Sequence, residues 1–138
     1  MNYEDKENRL KQIDIENYIW LVYVGIIIFS WYSNYLEKEF IINNDNNSKN
    51  KYRIIIISIF SILVVVYYYF FKNSLNDLQN IKQTDTYEKK SLVYLSFIGS
   101  LLILISGLIF LYIAISDKDN SIEIAFNWYF EKNKNMIE

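Results

Sequence analysis

The chain has 138 residues, 52% of them hydrophobic and 18% aromatic, with a formal net charge of −2 from 14 basic and 16 acidic side chains. Cys and His are both absent, which removes disulfides, thiolate nucleophiles, zinc–thiolate sites and the usual near-neutral proton carrier. Acidic and basic residues are intermixed without a block of one sign, so nothing in the chain draws a nucleic acid.

The polar leader, 1–17, places Leu10, Ile13 and Asn17 at helical spacing, which predicts a small helical cap outside the lipid. The first uncharged run, "YIWLVYVGIIIFSWYSNYL" at 18–36, follows it. A cleaved signal peptide is not expected there: the leader holds more acid than base, the apolar stretch is too long, and no small-residue cleavage site follows. The helix is expected to continue through Leu36, Phe40 and Ile41 into an Asn-rich loop at 43–50, whose Asn, Asp and Ser suit irregular backbone.

A second run, "IIIISIFSILVVVYYYFF", covers 54–71. Beyond it, Leu75, Leu78 and Ile81 keep a helical spacing until "KQTD", and Asp85 with Glu88 three positions on fits an N-cap and its partner. A helical hairpin extension over 72–90 is therefore expected to project past the lipid. The third run, 91–116, is 26 residues without a charge. In the tail, 117–138, the stretch 121–130 patterns equally well as a helix stripe or as an alternating strand. A short interfacial helix is preferred, because bulky aromatics after a span sit at headgroup level.

The three runs are 19, 18 and 26 residues long, against the roughly 20 that cross a hydrocarbon layer of about 30 Å. They are apolar on every face, and a helix of that kind must be surrounded. The remaining chain comes in pieces too short and too polar to do so. Barrel strands are shorter and alternate apolar with polar, which these runs do not. The expected fold is therefore all-α: an integral membrane protein of three long transmembrane helices in an up-down-up antiparallel bundle, with the lipid bilayer as its first partner and a short interfacial segment at its end. The positive-inside count is tied, with seven Lys or Arg on each side, so charge does not orient it.

No span contains an ionisable residue, the usual mark of a pump, carrier or channel. Ser58, Ser61, Ser96, Ser100 and Ser106 have neither His nor a charged base at their depth, so no nucleophile is activated, and they are expected to hydrogen-bond backbone or a neighbouring helix. The acidic pairs Glu37/Glu39 and Asp117/Asp119 read as solvated helix ends. No catalytic residue, metal ligand or cofactor site is expected, and the chain is not expected to be an enzyme. Tyr18, Trp20, Trp31, Tyr32, Tyr35 and Tyr67 to Tyr69 read as interfacial belts.

The most specific pattern lies in the third run. Ser100, Gly107 and Ala114 recur every seven residues, Gly99 and Ser106 run beside them, and Ser96 sits one turn before Ser100. Small residues on one face let another backbone approach where lipid removes the ordinary hydrophobic drive. Gly25 offers a second notch in the first run. The partner is either the chain's own helices or a second copy, as in a homo-oligomer, or another membrane protein.

"FIGSLLILISGLIFLYIAISD" followed by "IEIAFN", together with "NYIWLVYVGIIIFSWYSNYLEKEF", resembles the last and first spans of small, uncharacterised three-span membrane proteins of low-GC Firmicutes. The resemblance implies a multi-pass protein of a bacterial cell membrane and transfers no activity. Two roles are compatible with the residues: a structural or interaction subunit of a membrane assembly, or a pore- or lesion-forming protein of the holin-like or toxin-associated kind.

Overall fold

The computed structural model describes residues 2–118. They form three α-helices, α1 (Tyr3–Asn43), α2 (Asn46–Gln79) and α3 (Tyr87–Ser116). No strand occurs among the described residues, and the expectation for 121–130 lies outside them.

Lengths of 41, 34 and 30 residues correspond to about 61, 51 and 45 Å at 1.5 Å per residue. Each helix therefore contains its apolar run and extends beyond it. The most apolar 18-residue stretches have mean hydropathies of 1.5, 2.6 and 2.6, and at most 11% of the residues in any of them are buried. Trp20, Leu21, Val24, Ile28 and Trp31 of α1, like Leu102, Ile105, Leu108 and Ile109 of α3, stand exposed. Apolar surface on this scale calls for lipid or another apolar surface to cover it. The chain is a multi-pass membrane protein with three helices long and apolar enough to cross.

The helix ends follow from local chemistry. Asn2 caps α1 through its side chain, 2.8 Å from the Tyr3 amide, and Glu4 and Asp5 stand in the first turn, where the helix dipole favours negative charge. At the other end Asn44 adopts φ 51°, ψ 34°, the left-handed conformation that Asn reaches more easily than most residues. Asp45 then caps α2 at once. Its Oδ1 accepts from the Asn47 amide at 3.0 Å, and its Oδ2 from the Ser48 amide at 3.3 Å and the Ser48 hydroxyl at 2.7 Å. The stretch expected as a loop over 43–50 is thus a two-residue turn, with helix resuming at Asn46. Asn and Ser are poor interior helix formers but good ends, and here they supply two ends back to back.

The second connection, residues 80–86, is organised by Asp85. Its carboxylate accepts from the Lys82 amide and from Lys89 Nζ, both at 2.8 Å. That commitment shifts the cap of α3 by one residue from the expected Asp85: Thr86 Oγ1 accepts from the Lys89 amide at 3.2 Å. Lys90 Nζ closes the turn on the Gln83 carbonyl at 2.9 Å.

The helices group into two compact units that divide within α2, between Ile59 and Phe60. In the first, α1 and the start of α2 meet across the Asn44–Asp45 turn, where Lys49 Nζ lies 5.3 Å from the Phe40 ring centroid. Ser33, Leu36 and Ser48 are buried. Ser30 and Ser33 turn their hydroxyls onto the carbonyls of Ile26 and Ser30, at 2.7 and 2.9 Å, so each polar group is satisfied within its own helix. In the second unit the rest of α2 pairs with α3. Phe60 stacks on Phe110 with centroids 5.6 Å apart, and Phe71 meets Phe97 at 5.7 Å. Partners move down α3 as they move up α2, which is the antiparallel register of a helical hairpin.

Candidate functional site

Polar and steric contacts meet at the seam between α2 and α3. Ser100, the tenth residue of the third run, hydrogen-bonds Ser74 of α2 hydroxyl to hydroxyl. Each hydroxyl also lies 2.9 Å from the carbonyl oxygen three residues earlier in its own helix, Phe71 for Ser74 and Phe97 for Ser100. One hydroxyl can therefore donate across the pair while the other donates back along its helix, and both are satisfied without water.

Two turns further along, Gly107 is buried beneath α2. A Cβ at this position would stand 2.8 Å from Tyr67 Cδ2, 3.1 Å from Tyr67 Cε2 and 3.5 Å from Val64 Cγ2. The Tyr67 ring thus lies across bare backbone, a contact only glycine permits without displacing the ring. Tyr67, read in sequence as part of an aromatic belt, packs its ring against α3. Ala114, the next member of the heptad line, is also buried.

The other small residues of α3 stand differently. Ser106 and Ser96 are exposed, and a Cβ at Gly99 would meet nothing within 4 Å. The same open space surrounds Gly25 of α1. Of the six residues singled out on α3, then, Ser100, Gly107 and Ala114 lie on the covered line, while Gly99 and Ser106 lie about 100° around the helix from it. Ser96 faces a cleft near the 80–86 turn.

Sequence reasoning missed the α2 side of this seam. Ser74 lies three residues past the end of the second apolar run, where a lone serine carries no signal, and Tyr67 sits in a triple tyrosine whose members look alike. It also missed the Asp85 turn as a hub, although the carboxylate–lysine spacing of four, Asp85 to Lys89, was a readable sign.

The contacts of the seam join α2 to α3. No group of three or more His, Cys, Asp or Glu converges among the described residues. Two carboxylates with displaced titration, Asp45 and Asp85, stand in turns. Asp45 is held below the ordinary value of 3.8, first by the Ser48 hydroxyl and then by the Asn47 amide. Asp85 is lowered first by the Lys89 side chain and then by the Lys82 amide. Both shifts arise from hydrogen bonds that favour the ionised form; Asp45 caps α2 and Asp85 ties the 80–86 turn together. No protein-family model, curated protein or solved structure matches the chain.

Proposed function

We propose that this chain is a non-catalytic structural or interaction protein of the membrane, working as a small subunit or accessory of a larger assembly. The observation that carries this reading is the division of its small-residue notches. The Gly107 notch is filled by the chain's own Tyr67, whereas the Gly25 notch on α1 is open, amid a helix that is exposed along most of its apolar run. An open notch on a lipid-facing helix is the place where another membrane helix approaches closely. The compartment proposed, on the resemblance to three-span Firmicutes proteins, is a bacterial cell membrane.

A pore- or lesion-forming role would need the Ser100, Gly107 and Ala114 line to meet further copies. Ser100 and Gly107 meet Ser74, Tyr67 and Val64 of the same chain, so the packing role is favoured.

Extraction of the tagged chain from its native membrane in mild detergent tests the proposal. The expected result is a particle well above the mass of one copy that shrinks when Gly25→Leu fills the notch. A monomer in every mild detergent, or a complex indifferent to Gly25→Leu, would refute it.

A further inference from the structure

The register of α2 and α3 leaves their apolar runs uneven at one end. Phe60 meets Phe110, and Phe71 meets Phe97. Counting outward from the first pair, the second run begins at Ile54 and the third ends at Ser116, six residues away in each case, so the runs are flush there. At the other end the second run stops at Phe71, whereas the third starts at Ser91, six residues before Phe97. About 9 Å of apolar α3 therefore continues past the end of apolar α2, at 1.5 Å per residue. Level with it on α2 stand Lys72, Asn76 and Asp77, all exposed. Drawing a lysine and an aspartate to hydrocarbon depth costs more than two leucines gain there, so the bilayer edge follows α2 and falls near Lys72. Leu92 and Leu95, 59% and 61% exposed, then stand uncovered just outside the hydrocarbon.

A second uncovered apolar line stands on the same side of the membrane. Three crossings put the leader of α1 and the 80–86 turn on one side. α1 is helical from Tyr3, fifteen residues before the first run begins at Tyr18. Leu10 and Ile13, three residues apart on one helix face, are 60% and 39% exposed. They precede Tyr18 by eight and five residues, which places them within about 12 Å of the hydrocarbon edge, in the layer where Leu92 and Leu95 stand. Charge is opposite as well. Residues 1–17 carry five carboxylates against three bases, and residues 72–90 carry four lysines against three carboxylates.

We propose that the leader of one copy lies along the start of α3 in a second copy, Leu10 and Ile13 against Leu92 and Leu95, with the same contact repeated in reverse. Such an exchange is a closed two-fold arrangement, in which each patch meets its complement twice. Two copies in one membrane orientation bring the two lines together at one depth. The acidic leader on the basic end of the hairpin steers the pairing. The contact uses neither Gly25 nor the lipid-facing part of the spans, so it goes beyond the assembly role and fails or holds separately from it.

The absence of cysteine makes the test direct. Two differently tagged forms of the full chain, one Leu10→Cys and the other Leu95→Cys, are expressed in one membrane and treated with a short bis-maleimide. The cross-linked dimer bearing both tags is expected at about tenfold the yield from either variant paired with itself, a factor that covering one leucine suffices to supply. Adding Leu92→Ser to the second form, at an exposed position, should return the yield to that background with the far-ultraviolet circular dichroism unchanged. A yield no higher than the self-paired background, an unchanged yield with Leu92→Ser, or purely intrachain cross-linking when one chain carries both cysteines would each overturn the proposal. The last result would assign the strip to the chain's own leader. With Gly25→Leu in both forms the cross-link is expected to persist, and its loss there would move the contact to the α1 notch and overturn this one.

Discussion

A single methyl group added at residue 107 would come within 2.8 Å of the Tyr67 ring, while the same methyl at residue 99 would meet nothing. The two glycines are eight residues apart on one helix, yet their substitutions are expected to diverge. Gly107→Leu must displace Tyr67 and Val64, and overpacking of this kind costs about 1–3 kcal/mol. Gly99→Leu adds a side chain into open space and should destabilise by no more than about 0.5 kcal/mol. Denaturant-induced unfolding in detergent, followed by far-ultraviolet circular dichroism, checks both. If the two variants lose stability equally, the seam is not where Tyr67 places it.

At the scale of elements, both turns depend on an aspartate whose ionised form is preferred in the folded chain. For Asp45 and Asp85 the folded value lies below the ordinary 3.8. The stability each contributes is therefore complete above that ordinary value and is lost as pH falls through the lowered folded one. Amide exchange at Asn47, Ser48 and Lys82 should be unchanged between pH 7 and 5, after correction for intrinsic rates, and lose protection only below about pH 4. Protection lost already at pH 6 would mean that other groups hold the turns. Independently, Thr86→Ala should cost about 1 kcal/mol by removing the cap of α3, and Asp85→Ala should loosen the turn through Lys82 and Lys89 rather than by uncapping the helix. The sequence placed a helix start here correctly to within one residue. It could not tell which of two adjacent oxygen-bearing side chains would cap, because that was decided by Lys89 reaching back to Asp85. The Asn-rich stretch misled in the opposite way: Asn44 and Asp45 alone make the turn, and their neighbours, loop-like in composition, join a helix already capped.

For the whole molecule the expectation concerns the bilayer. The turn at Asn44 and the 80–86 turn stand at opposite ends of α2, with one apolar run between them. The chain has no cysteine, so single cysteines at Asn44 and Asn80 give clean reporters. In intact cells a membrane-impermeant maleimide should label one of them, and the other only after permeabilisation. Ile28→Cys, within the first span, should resist the reagent in both cases. Labelling of both turns from one side would contradict three crossings. The experiment also supplies the orientation that the evenly split Lys and Arg leave open.

The three long helices of the described residues, and an apolar character sufficient to cross a membrane, were legible in the sequence alone. Those properties follow from the length and polarity of continuous segments, and each run of 18 or more uncharged residues specifies them without reference to any other part of the chain. The heptad of Ser100, Gly107 and Ala114 likewise announced a face that could be approached. Which face was covered, and by what, came only from the tertiary structure. In lipid an exposed leucine and a packed one are nearly equivalent in polarity, so hydropathy cannot rank one side of α3 above another. Shape decides instead: Tyr67 fits over Gly107 and Ser74 reaches Ser100, whereas Gly99 and Gly25, chemically the same kind of residue as Gly107, are left with nothing above them because no side chain of the right size comes to rest there.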